Sequence, residues 1–345
     1  MDAAVAERFM RLALSEAEKG VGATSPNPAV GAVLVTGGTV VAQGHHQGAG
    51  QPHAEVACFE SAKEPIQKSS VLYVTLEPCS TTGRTPPCTD AIIAAGVREV
   101  VVGAVDVNPR HAGRGVELLR AAGVKVHVGV LEHECIALNE AFNHWIQTKR
   151  PFVIAKCGMS LDGKLTRPPG EPTFLTGTAA REQANRLRKN VDAILVGAET
   201  VRQDNPRLTV RAVKTMRQPW RVVLTRSGKL PKRAHLFSDR FAERTLVFRE
   251  KKLKTVLSEL GKREITSVLI EGGGDVLGQA LDERLIDRVE IYLGPLLTGG
   301  PVTAFGGRGA GSTAEAAHLR EVRYEKIGPD IFLTGKPTYG SPPSE

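Results

Sequence analysis

Hydrophobic positions along this chain come in short runs whose period keeps changing. Over residues 3–19, Val5, Phe9, Leu12 and Ala13 share a face while Glu7, Arg8, Arg11 and Ser15 fall mostly elsewhere, which predicts an amphipathic helix stopped by Gly20. "AVGAVLV" and "TVVAQG" are apolar runs joined by Thr36-Gly37-Gly38, a hairpin signal. Helical and strand patterns then alternate: "HAEVACFESA" helix, "VLYVTL" strand, "CTDAIIAAG" helix, "EVVVGAV" strand, "GVELLRAAG" helix, "VKVHVG" strand. Such alternation predicts an α/β layer with a largely parallel sheet after the opening hairpin.

Near residue 147 the pattern restarts with "TKRPFVIAK", a basic, Pro-containing entry into a new strand. The second series reads "AREQANRLRK" helix, "DAILVGA", "RVVLT" and "RTLVF" strands, "KKLKTVLSEL" helix, "SVLIEGGG" strand, "VLGQALDERL" helix, "RVEIYLGP" strand and "DIFLTG" strand. We therefore expect two α/β domains, residues 1–147 and 148–345, without an internal repeat, and a frayed tail "GKPTYGSPPSE".

Composition narrows the function classes. No apolar run reaches the roughly eighteen residues of a membrane span, and the N-terminus has charges where a signal peptide needs an apolar stretch. Five cysteines without a regular framework point to a reducing compartment, and so to the cytoplasm. The net charge is +8, but the basic residues are scattered and aromatics are only 5%, too few for base-stacking platforms. A small anionic substrate is expected, with no nucleic-acid or membrane partner; a homo-oligomer stays open.

The chemistry concentrates in "PHAEV" and "LEPCSTTGRTPPC". His53, Cys79 and Cys88 offer one imidazole and two thiolates, the three-ligand set of a catalytic zinc whose fourth position takes water. The ion brings that water's pKa near neutrality. Glu55, two residues from His53 and not itself a ligand, is placed to shuttle protons at a helix start. Cys88 opens a helix, where the partial positive charge favours thiolate. The zinc-deaminase pattern H-x-E…P-C-x-x-C is matched in its first half, but eight residues, Ser80–Pro87, separate these cysteines.

That spacing, with "TSPNPAVGAVLV", "PHAEV" and "TLEPCSTTGRTPPCTDAII" in order, resembles the deaminase half of bifunctional riboflavin-biosynthesis deaminase–reductases, over residues 1–145. "AKCGMSLDGKL", "ETVRQDNPRLTVR" and "IEGGGDVLGQAL" resemble their reductase half, over about residues 150–335. The resemblance implies an N-terminal cytidine-deaminase-like three-layer α/β/α domain and a C-terminal dihydrofolate-reductase-like α/β domain. It implies one Zn2+ per chain and NADPH. The first reaction would be zinc-hydroxide deamination of 2,5-diamino-6-ribosylamino-4(3H)-pyrimidinone 5′-phosphate, the second NADPH-dependent reduction of its ribosyl group to ribityl.

By position the resemblance assigns Asn27 to the pyrimidine, and Asp106 and Asn108 of "VDVNPRHAGRG" to ribose or phosphate. Val107 stands there where a proline is usual, and Thr81-Thr82 replace a His-Tyr pair. Arg84 is placed either on the phosphate or in solvent. In the second half, Gly158, Thr200 and Asp204 match cofactor positions, and Arg188, Leu208, Arg211 and Glu271 match substrate positions. The two arginines suit a sugar phosphate, because guanidinium forks match phosphate oxygens. Pro172-Thr173-Phe174 replace a Ser-Gln-Trp segment. Gly272, Gly273 and Gly274 let backbone amides approach a cofactor phosphate, or simply make a strand-to-helix turn. Arg226 and Ser227, in the loop after "RVVLT", either read the 2′-phosphate of NADPH or form an exposed turn.

Two other readings stay open: a zinc deaminase acting on a nucleic-acid base, and a zinc-stabilised fold without catalysis. The cysteine spacing and low aromatic content oppose the first. The second needs a fourth protein ligand, for which His45, His46 and Cys58 are the nearby candidates, and gives Glu55 no task.

Overall fold

The structure is a computed structural model that describes residues 2–340 apart from 84, 110, 166–173, 212, 214 and 216. The chain divides into two compact units, Met1–Lys149 and Arg150–Glu345. In chain order the first contains α1 (Ala3–Glu18), β1 (Gly31–Thr36), β2 (Thr39–His45), α2 (Ala54–Glu60), β3 (Val71–Leu76), α3 (Cys88–Ala94), β4 (Glu99–Ala104), α4 (Arg114–Ala121), β5 (Lys125–Val128), α5 (Glu132–Leu138) and α6 (Glu140–Thr148).

The first unit's sheet has the order β2-β1-β3-β4-β5. The β1–β2 and β1–β3 pairs are antiparallel, and the β3–β4 and β4–β5 pairs are parallel. Side-chain alternation sends the two faces of this sheet into separate cores. Val33, Val35, Tyr73 and Val101 pack with α1 and with Cys135 of α5. Ala32, Leu34, Leu72, Val74, Val100 and Val102 pack against α2, α3 and α4. Helices therefore cover both faces, giving the three-layer arrangement. The α1 face differs from expectation. Ala6, Phe9, Met10, Ala13 and Ala17 are its buried stripe, and Val5 and Leu12 are exposed at its margins.

The second unit contains β6 (Phe152–Ser160), α7 (Thr178–Lys189), β7 (Ala193–Gly197), α8 (Ala198–Asp204), β8 (Trp220–Thr225), α9 (His235–Ser238), β9 (Thr245–Arg249), α10 (Leu253–Lys262), β10 (Ser267–Glu271), α11 (Gly274–Asp282), β11 (Arg288–Gly294), β12 (Ala317–Ile327) and β13 (Asp330–Tyr339). Its sheet runs β12-β13-β11-β6-β10-β7-β8-β9. The six strands from β11 to β9 are mutually parallel, and β13 and β12 add antiparallel pairs at one edge. One face buries α10 and α11; on the other, Ala180 and Ala184 of α7 meet Tyr292 and Phe332. The expected frayed tail is corrected as far as Tyr339, which pairs with Ala317 in the edge hairpin. The backbone hydrogen bonds of β12 hold residues 335–339 in place despite their glycine and proline. Among the described residues, no helix is long and apolar enough to cross a membrane.

Candidate active sites

In the first unit, three connections converge at one end of the sheet. His53 is the residue before α2, Cys79 follows β3, and Cys88 is the first residue of α3. The His53 Nδ1 lies 3.1 Å from Cys88 Sγ and 3.5 Å from Cys79 Sγ. The three ligand atoms all lie within 4.8 Å of one another, and among the described residues no other group of three His, Cys, Asp or Glu is so arranged. A partly buried set of one imidazole and two thiols fits zinc. The Cys79 thiol is held down to about 4, first by its hydrogen bond with the Cys88 thiol and then by His53 and the Cys88 N–H. The same bond, with burial, pushes the Cys88 thiol up.

Glu55 is 3% exposed in the first turn of α2, and burial pushes its carboxyl up. The other nitrogen of His53 meets Thr85 Oγ1 at 3.2 Å, a partner that fixes the ring's orientation. His46 stands edge-on to His53, with ring centroids 5.2 Å apart. Its Nδ1 faces the Pro52 carbonyl at 3.0 Å, which can only accept, so Nδ1 carries the proton. Its Nε2 then accepts from the Asn27 amide at 3.0 Å, which directs Asn27 Oδ1 elsewhere. His46 is thus committed to orienting Asn27, and Cys58 is packed in the apolar core.

Asp106 is buried and accepts from the Asn108 N–H at 2.8 Å; burial pushes its carboxyl up. Arg84, Pro172 and Thr173 lie outside the described residues.

The second unit has an open cleft of about 2400 Å³. Gly158, Thr200, Asp204, Arg226, Ser227, Gly272, Gly273 and Gly274 all line it, together with Arg188, Leu208, Arg211 and Glu271. The three glycines are not equivalent. Gly272 and Gly273 have φ of 74° and 80°, a left-handed turn that suits glycine. At Gly274 a Cβ would come within 2.1 Å of the Thr303 carbonyl, so this glycine serves packing of α11 on residues 303–306.

Arg188 on α7 reaches across to Glu271 at the end of β10, with Nε 2.6 Å from Oε1 and Nη2 2.7 Å from Oε2. Its Nη1 donates to the Thr209 carbonyl at 3.1 Å. Among the described residues, three of its five N–H groups hold protein, and two have no partner there. Leu208 is buried in the left-handed region at φ 48°, and the buried Arg221 donates to the neighbouring Arg207 carbonyl at 3.3 Å. Arg211 is exposed, with its backbone N–H on Asn185 Oδ1 at 3.0 Å.

Residue patterns offered His46 only as a possible fourth ligand, and did not single out Thr85, Glu77 or Lys156. A signal existed for Lys156 alone: a lysine inside the apolar strand "FVIAKC". Its side chain lines the cleft, and its charge acts on Glu271 and Glu290.

Residues 4–104 match the cytidine and deoxycytidylate deaminase zinc-binding region, and residues 151–333 match the RibD C-terminal domain. The riboflavin biosynthesis protein RibD of Aquifex aeolicus is 40% identical over 348 residues, spanning 95% of this chain and 97% of that protein. The solved structure of Acinetobacter baumannii RibD covers 98% of this chain and all of its own, with a TM-score of 0.89 and 35% identity. The structure of a diaminohydroxyphosphoribosylaminopyrimidine deaminase / 5-amino-6-(5-phosphoribosylamino)uracil reductase from Thermotoga maritima covers 97% of this chain and 99% of its own, with a TM-score of 0.86 and 35% identity. With two matched halves and near full-length identity, this chain belongs to the RibD family of riboflavin biosynthesis proteins.

Proposed function

We propose that His53, Cys79 and Cys88 hold one zinc ion per chain, that Glu55 moves the protons of the deamination, and that the cleft of the second unit holds NADPH beside the sugar phosphate of the same pyrimidine. The chain is a bifunctional enzyme of riboflavin biosynthesis, a deaminase and a reductase. The observation that carries the residue assignment is the pairing of a three-ligand cluster with a buried acid that is not a ligand.

Zinc, when bound, supplies Lewis acidity at neutral pH. Glu55 relays the two protons of the attacking water, one to the ring nitrogen beside the reacting carbon and one to the departing amine, so that ammonia leaves and a carbonyl remains. Asn27, turned by His46, offers Oδ1 to a donor on the pyrimidine edge. Asp106 and Asn108 take the ribose or phosphate.

In the second unit NADPH, when bound, supplies the hydride. Gly158, Thr200, Asp204, Arg226, Ser227, Gly272 and Gly273 form its bed. Arg211 and the remaining N–H groups of Arg188 hold the substrate phosphate, and Glu271 keeps Arg188 in place.

A free nucleotide, rather than a nucleic acid, and a cytoplasmic setting belong to the same reading. The aromatic content of 5% and five free cysteines support it. The test is a coupled assay on purified full-length protein, measuring ammonia release from the free pyrimidine phosphate and the NADPH oxidation that follows. Ammonia release from RNA but not from the free nucleotide would defeat this reading.

A further inference from the structure

We infer that Glu77 is the positioning residue of the deaminase substrate loop, hanging Asp106, Gly113, Gly115 and Val116 from the peptide that leads to Cys79. The inference rests on the assignment of Asp106 and Asn108 to the substrate made above.

Glu77 follows β3 and is 4% exposed. Its own N–H donates to the Ala104 carbonyl at 2.9 Å, which fixes the strand end. Both carboxylate oxygens then serve backbone donors. Oε2 accepts from Asp106 at 3.1 Å and Gly113 at 2.9 Å; Oε1 accepts from Gly115 at 2.8 Å and Val116 at 3.2 Å.

Three of these donors belong to the start of α4, where N–H groups have no partner within the helix. The fourth, Asp106, lies outside the helix and begins the loop. Its carboxylate in turn accepts from the Asn108 N–H at 2.8 Å, so one chain of bonds runs from Glu77 to Asn108.

Close contact reinforces the arrangement. A Cβ on Gly115 would sit 2.1 Å from the Pro78 carbonyl and 3.2 Å from Glu77 Oε1. Only glycine lets the helix start rest on this peptide. The geometry ties the loop to the residue next but one before a zinc ligand, and thereby sets the distance from sugar phosphate to reacting carbon.

Glutamine is the informative replacement. It has the same length, but its amide nitrogen would point hydrogens at two N–H donors. In Glu77→Gln the KM of deamination for the free pyrimidine phosphate should rise by about tenfold or more, the order of one lost charge-assisted hydrogen bond in alignment. The kcat should fall by less than about threefold, because Glu55 and the metal ligands are untouched. Zinc content and reductase turnover should be unchanged, and amide hydrogen exchange at Asp106, Gly113, Gly115 and Val116 should quicken. Gly115→Ala lifts the helix start without altering the carboxylate, and should raise KM in the same way if Glu77→Gln does not fold.

A lowered Tm with unchanged KM in both variants would reduce Glu77 to a helix cap and overturn the inference. Zinc loss in Glu77→Gln would also overturn it, because the residue would then be acting through Cys79. Asn108→Ala separates the two levels. An unchanged KM there removes the loop from the substrate and the inference with it; a raised KM there with none in Glu77→Gln defeats the inference alone.

Discussion

Arg188 and Glu271, 83 residues apart in the chain, form a two-point ion pair in the lining of the second unit's cleft, with contacts of 2.6 and 2.7 Å. Burial pushes the Glu271 carboxyl up, but the charge and hydrogen bonds of Arg188, with Lys156 and Arg211, outweigh it and hold the carboxyl below its usual range. A carboxyl lowered in this way adds stability that is full above its unfolded value, about 4.3, and is lost as pH falls through the folded value. Glu271→Ala leaves a buried guanidinium unpaired and should destabilise the second unit by about 3–5 kcal/mol at pH 7. Denaturant unfolding should show the gap to the parent protein narrowing below about pH 4. Equal stability at pH 7 would show that the pair is dispensable.

Glu55→Gln should retain zinc and lose roughly 10²–10⁴-fold in deamination rate, since it removes a proton carrier and leaves the ligands. Metal analysis and ammonia release on the same preparation check both halves of the statement. Reductase turnover should stay at the parent level, because the cleft draws its lining from the second unit. Near-normal deamination would reassign the proton carrier.

Zinc content should be about one per chain and should vanish in Cys88→Ser, which weakens the sulfur set. Thr85→Val should act more gently. It removes the oxygen 3.2 Å from His53 Nε2, and loss of such a partner costs about 10–100-fold in metal affinity. Competition with a zinc chelator measures this without any activity assay. An affinity equal to the parent's would show that Thr85 does not orient the ring.

The parts legible in the sequence were those whose chemistry demands rare residues at short spacing. His53, Glu55, Cys79 and Cys88 lie within 36 positions, and the structure brings the three ligand atoms together. Alternating apolar runs likewise announced the buried strands, because burial on both faces leaves few polar positions. What escaped depends on partners distant in the chain. The acceptor role of Glu77 has no sequence signature, since any backbone N–H can donate to it. The Arg188–Glu271 pair reads as two separate substrate contacts until the fold joins them. β12, "AHLREVRYEKI", is largely exposed and gives no apolar run. Val5 and Leu12 were misplaced because they lie beside a stripe that Ala6 and Met10 occupy.

The loop after β8 is shaped by contacts that do not involve the Arg226 side chain. The Gly228 N–H donates to Thr225 Oγ1 at 3.0 Å, the Lys229 N–H donates to Ser227 Oγ at 3.2 Å, and Arg202 of α8 holds the Lys229 carbonyl at 3.2 and 3.3 Å. Arg226 is exposed on the cleft wall. A 2′-phosphate brings nearly two negative charges, and a guanidinium can meet its oxygens through paired N–H groups. Arg226→Ala should therefore lower kcat/KM with NADPH by about tenfold, or about 1.4 kcal/mol, while NADH, which lacks that phosphate, changes little. Both cofactors must be measured in parent and variant, at fixed ionic strength, because an exposed charge is screened by salt. Equal losses with the two cofactors would mean that the side chain supports the loop after all and does not read the phosphate. The contacts of Thr225, Gly228 and Arg202 argue against that outcome, since they keep the loop's shape when Arg226 is truncated.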